Sequence, residues 1–136
     1  MPKILIIDDD PDYRETCRIA LEPSGFEICE AAGPDEGFEK VRSESPDLVI
    51  LDVLMPSEFE GFEVARRIRE ELNLRELPIL MLTAVHDVKK PPYRFAPDDQ
   101  YLPVDGFLDK PVPPDALVRK VKEMLDLHRE EPKEPL

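Results

Sequence analysis

The sequence has 136 residues, with 31 acidic against 18 basic side chains and a formal net charge of −13. That length supports one hydrophobic core, and the carboxylate surplus argues against a nucleic-acid partner, because phosphate backbones are held by lysine and arginine. No apolar run approaches the roughly 20 residues of a membrane helix, no basic segment leads into a long apolar stretch at the N-terminus, and Cys17 and Cys29 make no disulfide framework, so a cytoplasmic protein with reduced thiols and no membrane contact is expected.

The first predicted element is Ile4–Ile7 (ILII), a strand with no polar interruption. A strand that does not alternate is covered on both faces, as in a parallel sheet between two helix layers. Asp10 can cap a helix that opens on Pro11, carries Tyr13, Cys17, Ala20 and Leu21 inward, and stops at EPSG (Glu22–Gly25). A weaker strand follows at Phe26–Glu30. Pro34 opens a second helix with Phe38 and Val41 on one face, ending near SESP. Leu48–Leu51 (LVIL) is a second fully apolar strand, and Gly61–Leu72 a third helix with Val64, Ala65, Ile68 and Leu72 on its apolar stripe. Ile79–Leu82 (ILML) is the third apolar strand. Pro91, Pro92, Pro97 and Pro103 then interrupt Ala84–Asp105, so a regular fourth helix is not expected there. A short strand at Gly106–Leu108 precedes a last helix, Pro114–Arg129, whose Leu117, Val118, Val121, Met124, Leu125 and His128 recur at helical spacing. This order predicts an α/β fold: an open, doubly wound, five-stranded parallel sheet, with an irregular Pro-rich segment replacing or shortening the fourth helix. One domain is expected over residues 1–129, and the charged, Pro-broken 130–136 reads as a tail.

In such a sheet, ligands bind beyond the carboxyl ends of the strands. Asp8, Asp9 and Asp10 stand just past the first strand, Asp52 past LVIL, Thr83 past ILML and Lys110 past GFLD. Clustered carboxylates are tolerable around a divalent cation, and oxygen-only ligation suits Mg²⁺. Acids, Mg²⁺, a hydroxyl and a lysine together suit a phosphoryl group, with one carboxylate as nucleophile. Taken singly, these residues have plainer readings: Asp10 is a helix cap, Thr83 can be one, and His86 and His128 are lone histidines without ligand spacing.

KILIIDDDP, PDLVILDVLMP, LTA and GFLDKP, in this order across nearly the whole chain, resemble the receiver domain of two-component response regulators. The resemblance implies a flavodoxin-like receiver fold with Asp52 as phosphoacceptor. It implies Mg²⁺ held by Asp9 directly, by Asp8 largely through water, by Asp52 and by the backbone carbonyl of Leu54. Thr83, Ala84 and Lys110 would bind the phosphoryl oxygens, Phe107 would be the aromatic switch residue, and Lys110–Pro111 would be a cis peptide. The implied partners are a sensor histidine kinase or phosphotransfer protein and a downstream protein target, and the only chemistry catalysed would be the chain's own aspartyl phosphorylation and dephosphorylation.

Departures from the family pattern qualify these expectations. MPSEFEGFE is one residue longer than the usual loop after the acceptor, and Ala84–Asp105 is also long, with Lys89, Lys90, Tyr93, Arg94, Phe95 and Tyr101 giving it a basic, aromatic character. It is read as a loop packed on the core or as a partner-docking element. Leu54 and Val85, two residues after Asp52 and Thr83, are apolar, so slow hydrolysis of the aspartyl phosphate is expected. The competing readings are a phosphorylation-independent interaction module and, more remotely, a Mg²⁺ phosphohydrolase, whose DxD pattern is absent at DVLM.

Overall fold

The structure, a computed structural model, describes residues 1–52, 58–74, 76–83, 105–109 and 112–130. Its strands are β1 (Lys3–Ile7), β2 (Glu27–Ala31), β3 (Leu48–Asp52), β4 (Ile79–Thr83) and β5 (Gly106–Asp109). They form one five-stranded sheet in the order β2-β1-β3-β4-β5, with every neighbouring pair parallel. The described helices are α1 (Pro11–Leu21), α2 (Pro34–Glu44), α3 (Glu58–Glu70) and α4 (Pro114–Glu130). The open, doubly wound parallel sheet is thus the one expected. The expected irregular segment in place of a fourth helix lies outside the described residues, as does the tail beyond Glu130.

Side-chain alternation divides the core in two. Leu5, Ile7, Val49, Leu51, Ile79 and Met81 pack with Phe38 and Val41 of α2 and with Val64, Ala65 and Ile68 of α3. Ile4, Ile6, Leu48, Ile50, Leu80 and Leu82 pack with Cys17 and Leu21 of α1 and with Leu117, Val121, Met124 and Leu125 of α4. Each fully buried aliphatic side chain contributes about 1.5–3 kcal/mol by leaving water, and both faces of the three central strands are buried in this way. Cys17 belongs to one layer and Cys29 packs against the other. The sheet stands between the two thiols, and neither is in a disulfide.

Local chemistry sets the boundaries. Asp10 caps α1, its Oδ1 accepting the Asp12 N–H at 3.0 Å, with Pro11 in the first turn. EPSG ends the helix as expected: Gly25 has φ +97°, which glycine adopts without steric cost, and its N–H bonds the Glu22 carbonyl at 3.0 Å. The third helix differs at both ends from Gly61–Leu72. It starts at Glu58. It ends at Glu70 because Asn73 turns left-handed (φ +56°) and the Leu74 N–H returns to the Ile68 carbonyl at 3.2 Å.

Candidate functional site

Because all strands run in parallel, their carboxyl ends share one edge. The chain leaves β1 for β2 on one side and returns to β3 on the other, so the strand order reverses between β1 and β3, where open α/β sheets form their crevice. Ile7 pairs with Leu51, which sets Asp8, the next residue, beside Asp52 at the end of β3. Asp52 pairs with Leu82, so Thr83 lies one position further along the same edge, and Thr83 pairs with Asp109 at the end of β5. Phe107 lies two positions earlier in β5, opposite Met81. Leu54, Ala84 and Lys110, together with the Lys110–Pro111 bond, lie outside the described residues.

Three consecutive aspartates take three different places. Asp8 is 1% exposed and Asp52 2%, the two charged residues buried among those described, whereas Asp9 and Asp10 are exposed. Asp8 is fixed through its main chain as well as its side chain. Its N–H bonds the Ala31 carbonyl of β2 at 3.1 Å, its carbonyl accepts Arg14 Nη1 at 2.6 Å, and its Oδ1 accepts the Asp10 N–H at 2.9 Å.

Tyr13, expected from the sequence only as an inward-facing side chain of α1, and Arg14, which the sequence pattern did not single out, lie near this pair. Tyr13 packs half-buried on the α1–α4 layer. Burial raises its phenol above the ordinary 10.0, and the charges of Cys17, Asp52 and Asp8 push it the same way. Arg14 holds the Asp8 carbonyl and bonds Glu30 Oε1 through Nε at 3.0 Å, while Arg18 Nη1 takes Glu30 Oε2 at 2.6 Å. One signal for Arg14 was present in the sequence: a cation in the first turn of a helix opposes the helix dipole, so it needs a specific partner.

Withdrawing two neighbouring carboxylates from water costs several kcal/mol per ion unless positive charge compensates. An all-oxygen pair with an exposed third acid, Asp9, suits Mg²⁺, which binds through one or two carboxylates and keeps most of its water. Among the described residues no three acidic, histidine or cysteine side chains gather into a ready-made metal cluster, so the fit to that ion rests on the buried pair, which matches the one or two carboxylates Mg²⁺ takes. A separate concavity of about 940 Å³ lies at the opposite edge of the sheet, lined by Pro2, Pro46, Asn73, Leu77 and Leu125, and shares no residue with the acids. No helix among the described residues is long and apolar enough to cross a membrane.

Comparison with known proteins agrees with this geometry. The family model described as the response regulator receiver domain matches residues 4–122. The DNA-binding dual master transcriptional regulator RpaA of Synechocystis sp. is 32% identical over 125 residues, 92% of this chain and 49% of that protein. The phosphate regulon transcriptional regulatory protein PhoB of Pseudomonas aeruginosa is 34% identical over 124 residues, 90% of this chain and 51% of its own length. The chain thus spans about half the length of these curated relatives. Among solved structures, a CheY-like receiver domain protein from Methanospirillum hungatei superposes with a TM-score of 0.77 at 27% identity, covering 96% of this chain and 98% of its own. The chemotaxis protein CheY4 of Vibrio cholerae gives 0.76 at 29% identity, covering 91% and 98%.

Proposed function

We infer the function from the premise that this chain belongs to the response regulator receiver domains of two-component systems: it is a switch that takes a phosphoryl group onto Asp52. The observation that carries the reading is the buried pair, Asp8 beside Asp52, at the strand-order reversal of the sheet.

Asp52 is the nucleophile in this proposal. A carboxylate oxygen attacks the phosphorus of a phosphohistidine on a sensor histidine kinase or phosphotransfer protein, the P–N bond breaks, and the imidazole leaves with its electron pair and takes a proton. Asp9 would hold Mg²⁺ directly and Asp8 largely through water, and Asp52 and the Leu54 carbonyl would complete the protein's share. The bound ion supplies positive charge to the acids and to the phosphoryl oxygens. Thr83, the Ala84 N–H and Lys110 receive those oxygens, and Phe107 responds to Thr83. The chain acts on itself and turns over no separate substrate. It works in the cytoplasm and hands the signal to a protein target. RpaA is DNA-binding by name, but a net charge of −13 disfavours contact with phosphate backbones, and we assign this chain no nucleic-acid contact of its own.

Intact-protein mass after incubation with acetyl phosphate and Mg²⁺ tests the reading. One added phosphoryl group is expected, absent when Mg²⁺ is chelated beforehand and absent in Asp52→Asn. With apolar Leu54 and Val85 flanking the acceptor positions, the adduct is expected to decay slowly. No adduct under any condition overturns the proposal.

A further inference from the structure

We propose that Arg14 is a positioning residue for the metal site, acting through the main chain of Asp8 and aimed by Glu30. The inference rests on the Mg²⁺ site proposed above and concerns a side chain that does not itself touch the ion.

The residue at stake is the hinge between β1 and the acidic loop. Asp8 leaves the strand ladder with one last bond, from its N–H to Ala31. Beyond that point the chain turns toward α1, and the orientation of the next peptide decides where Asp9 stands. The Asp8 carbonyl is the oxygen of that peptide, and Arg14 Nη1 holds it at 2.6 Å. A guanidinium offers several donors in a rigid fork, and here the fork bridges two elements: Nε is committed to Glu30 of β2 and Nη1 to Asp8. Glu30 is fixed in turn. Its second carboxylate oxygen takes Arg18, and its backbone carbonyl takes Lys40 Nζ at 2.7 Å. Glu30 also immediately precedes Ala31, so the main-chain N–H and C=O of Asp8 are both referred to one stretch of β2.

The Arg14 side chain is 17% exposed and that of Glu30 26%, so both groups are largely withdrawn from water and their geometry is held. Arg14 sits in the first turn of α1, where a positive charge is disfavoured by the dipole. Its contact with the Asp8 carbonyl accounts for a cation in that unfavourable place. A positioning group of this kind typically changes metal affinity by about 10–100-fold when removed.

The test is a Mg²⁺ titration without phosphodonor, followed by backbone amide chemical shifts, on wild type, Arg14→Gln, Arg14→Lys and Arg18→Gln, with thermal unfolding of each. Arg14→Gln is expected to weaken Mg²⁺ binding by about tenfold or more. Arg14→Lys keeps the charge but replaces the rigid planar fork with a rotatable point charge that does not fix the two partners in one geometry, and should weaken binding to a similar extent. Arg18→Gln removes a more exposed ion pair to the same Glu30 (Arg18 is 39% exposed) while keeping the Arg14–Glu30 and Arg14–Asp8 bonds, and should lower stability while leaving Mg²⁺ affinity within about twofold. If Arg14→Gln does not fold, Arg14→Lys decides. Unchanged affinity in a folded Arg14 variant overturns the positioning role alone, as does an equal loss in Arg18→Gln. A wild type that shows no Mg²⁺ response overturns the receiver chemistry and this inference with it.

Discussion

At the scale of the residue, a close approach of helix to strand lies directly under the acids. A Cβ on Gly37 of α2 would stand 2.5 Å from Ile7 Cδ1 and 2.9 Å from Cγ1, and Ile7 is fully buried. Glycine-to-alanine changes in helices usually gain up to about 1 kcal/mol from propensity, whereas overpacking a core costs about 1–3 kcal/mol. The clash wins here because Ile7 has the sheet behind it. Gly37→Ala is expected to lower the urea midpoint by an amount equal to about 1 kcal/mol without changing the slope. Ile7 immediately precedes Asp8, so the displacement should also appear in the amide shifts of the acidic loop. Nothing in the sequence pattern marks Gly37, since its role depends on how closely α2 lies on β1. The acids were legible for the opposite reason: three carboxylates directly after an uninterrupted apolar run identify a strand end wherever the helices pack. That Asp8 is the buried member and Asp10 the cap is a fact of local geometry, visible in sequence only as a Pro at the following position.

At the scale of the element, the start of β5 is tied to the end of α3. Arg69 Nη1 bonds the Leu74 and Leu77 carbonyls at 2.8 and 2.6 Å, and its Nη2 bonds Asp105 Oδ2 at 2.8 Å. The same Oδ2 accepts the Ile79 N–H at 2.9 Å. With the Arg69 side chain 11% exposed, this one group fixes the turn into β4 and the entry to β5 together. Arg69→Met should cost about 2 kcal/mol, because charge-assisted bonds contribute about 1.5–3 kcal/mol and the partners left behind are partly wetted. Hydrogen exchange should locate that loss in β4 and β5 before β1 and β3, and uniform loss across the sheet would refute the coupling. The strands themselves were readable in proportion to their depth. β1, β3 and β4 lie inside the sheet and have uninterrupted apolar sequences. β2 and β5 are its edges; β2 exposes Glu27 and half-buries its middle residues, which thins the apolar signal.

At the scale of the whole molecule, several titrations point the same way. Burial raises the Cys29 thiol above 9.0 and the Tyr13 phenol above 10.0, and the bond to Glu44 raises Lys3 above 10.5. Each group holds its proton more tightly folded than unfolded. Their contribution is therefore complete below about pH 9 and is lost as the pH climbs through the raised values. Urea unfolding should give a flat stability from pH 7 to about 9 and a decline above it; a rise there would contradict the assignment. The architecture has a last consequence, for the lengths that mutation can vary. Each central strand addresses alternate side chains to opposite layers and delivers its final residue to the crevice. A one-residue insertion within a strand reverses that parity, turning one layer's side chains toward the other and moving the terminal acid off its mark. An insertion after the strand's last residue changes neither. The two stretches that the sequence reading takes as longer than the receiver pattern, between Pro56 and Gly61 and between Ala84 and Asp105, both come after a strand's last residue, where extra length leaves the count of the strands untouched.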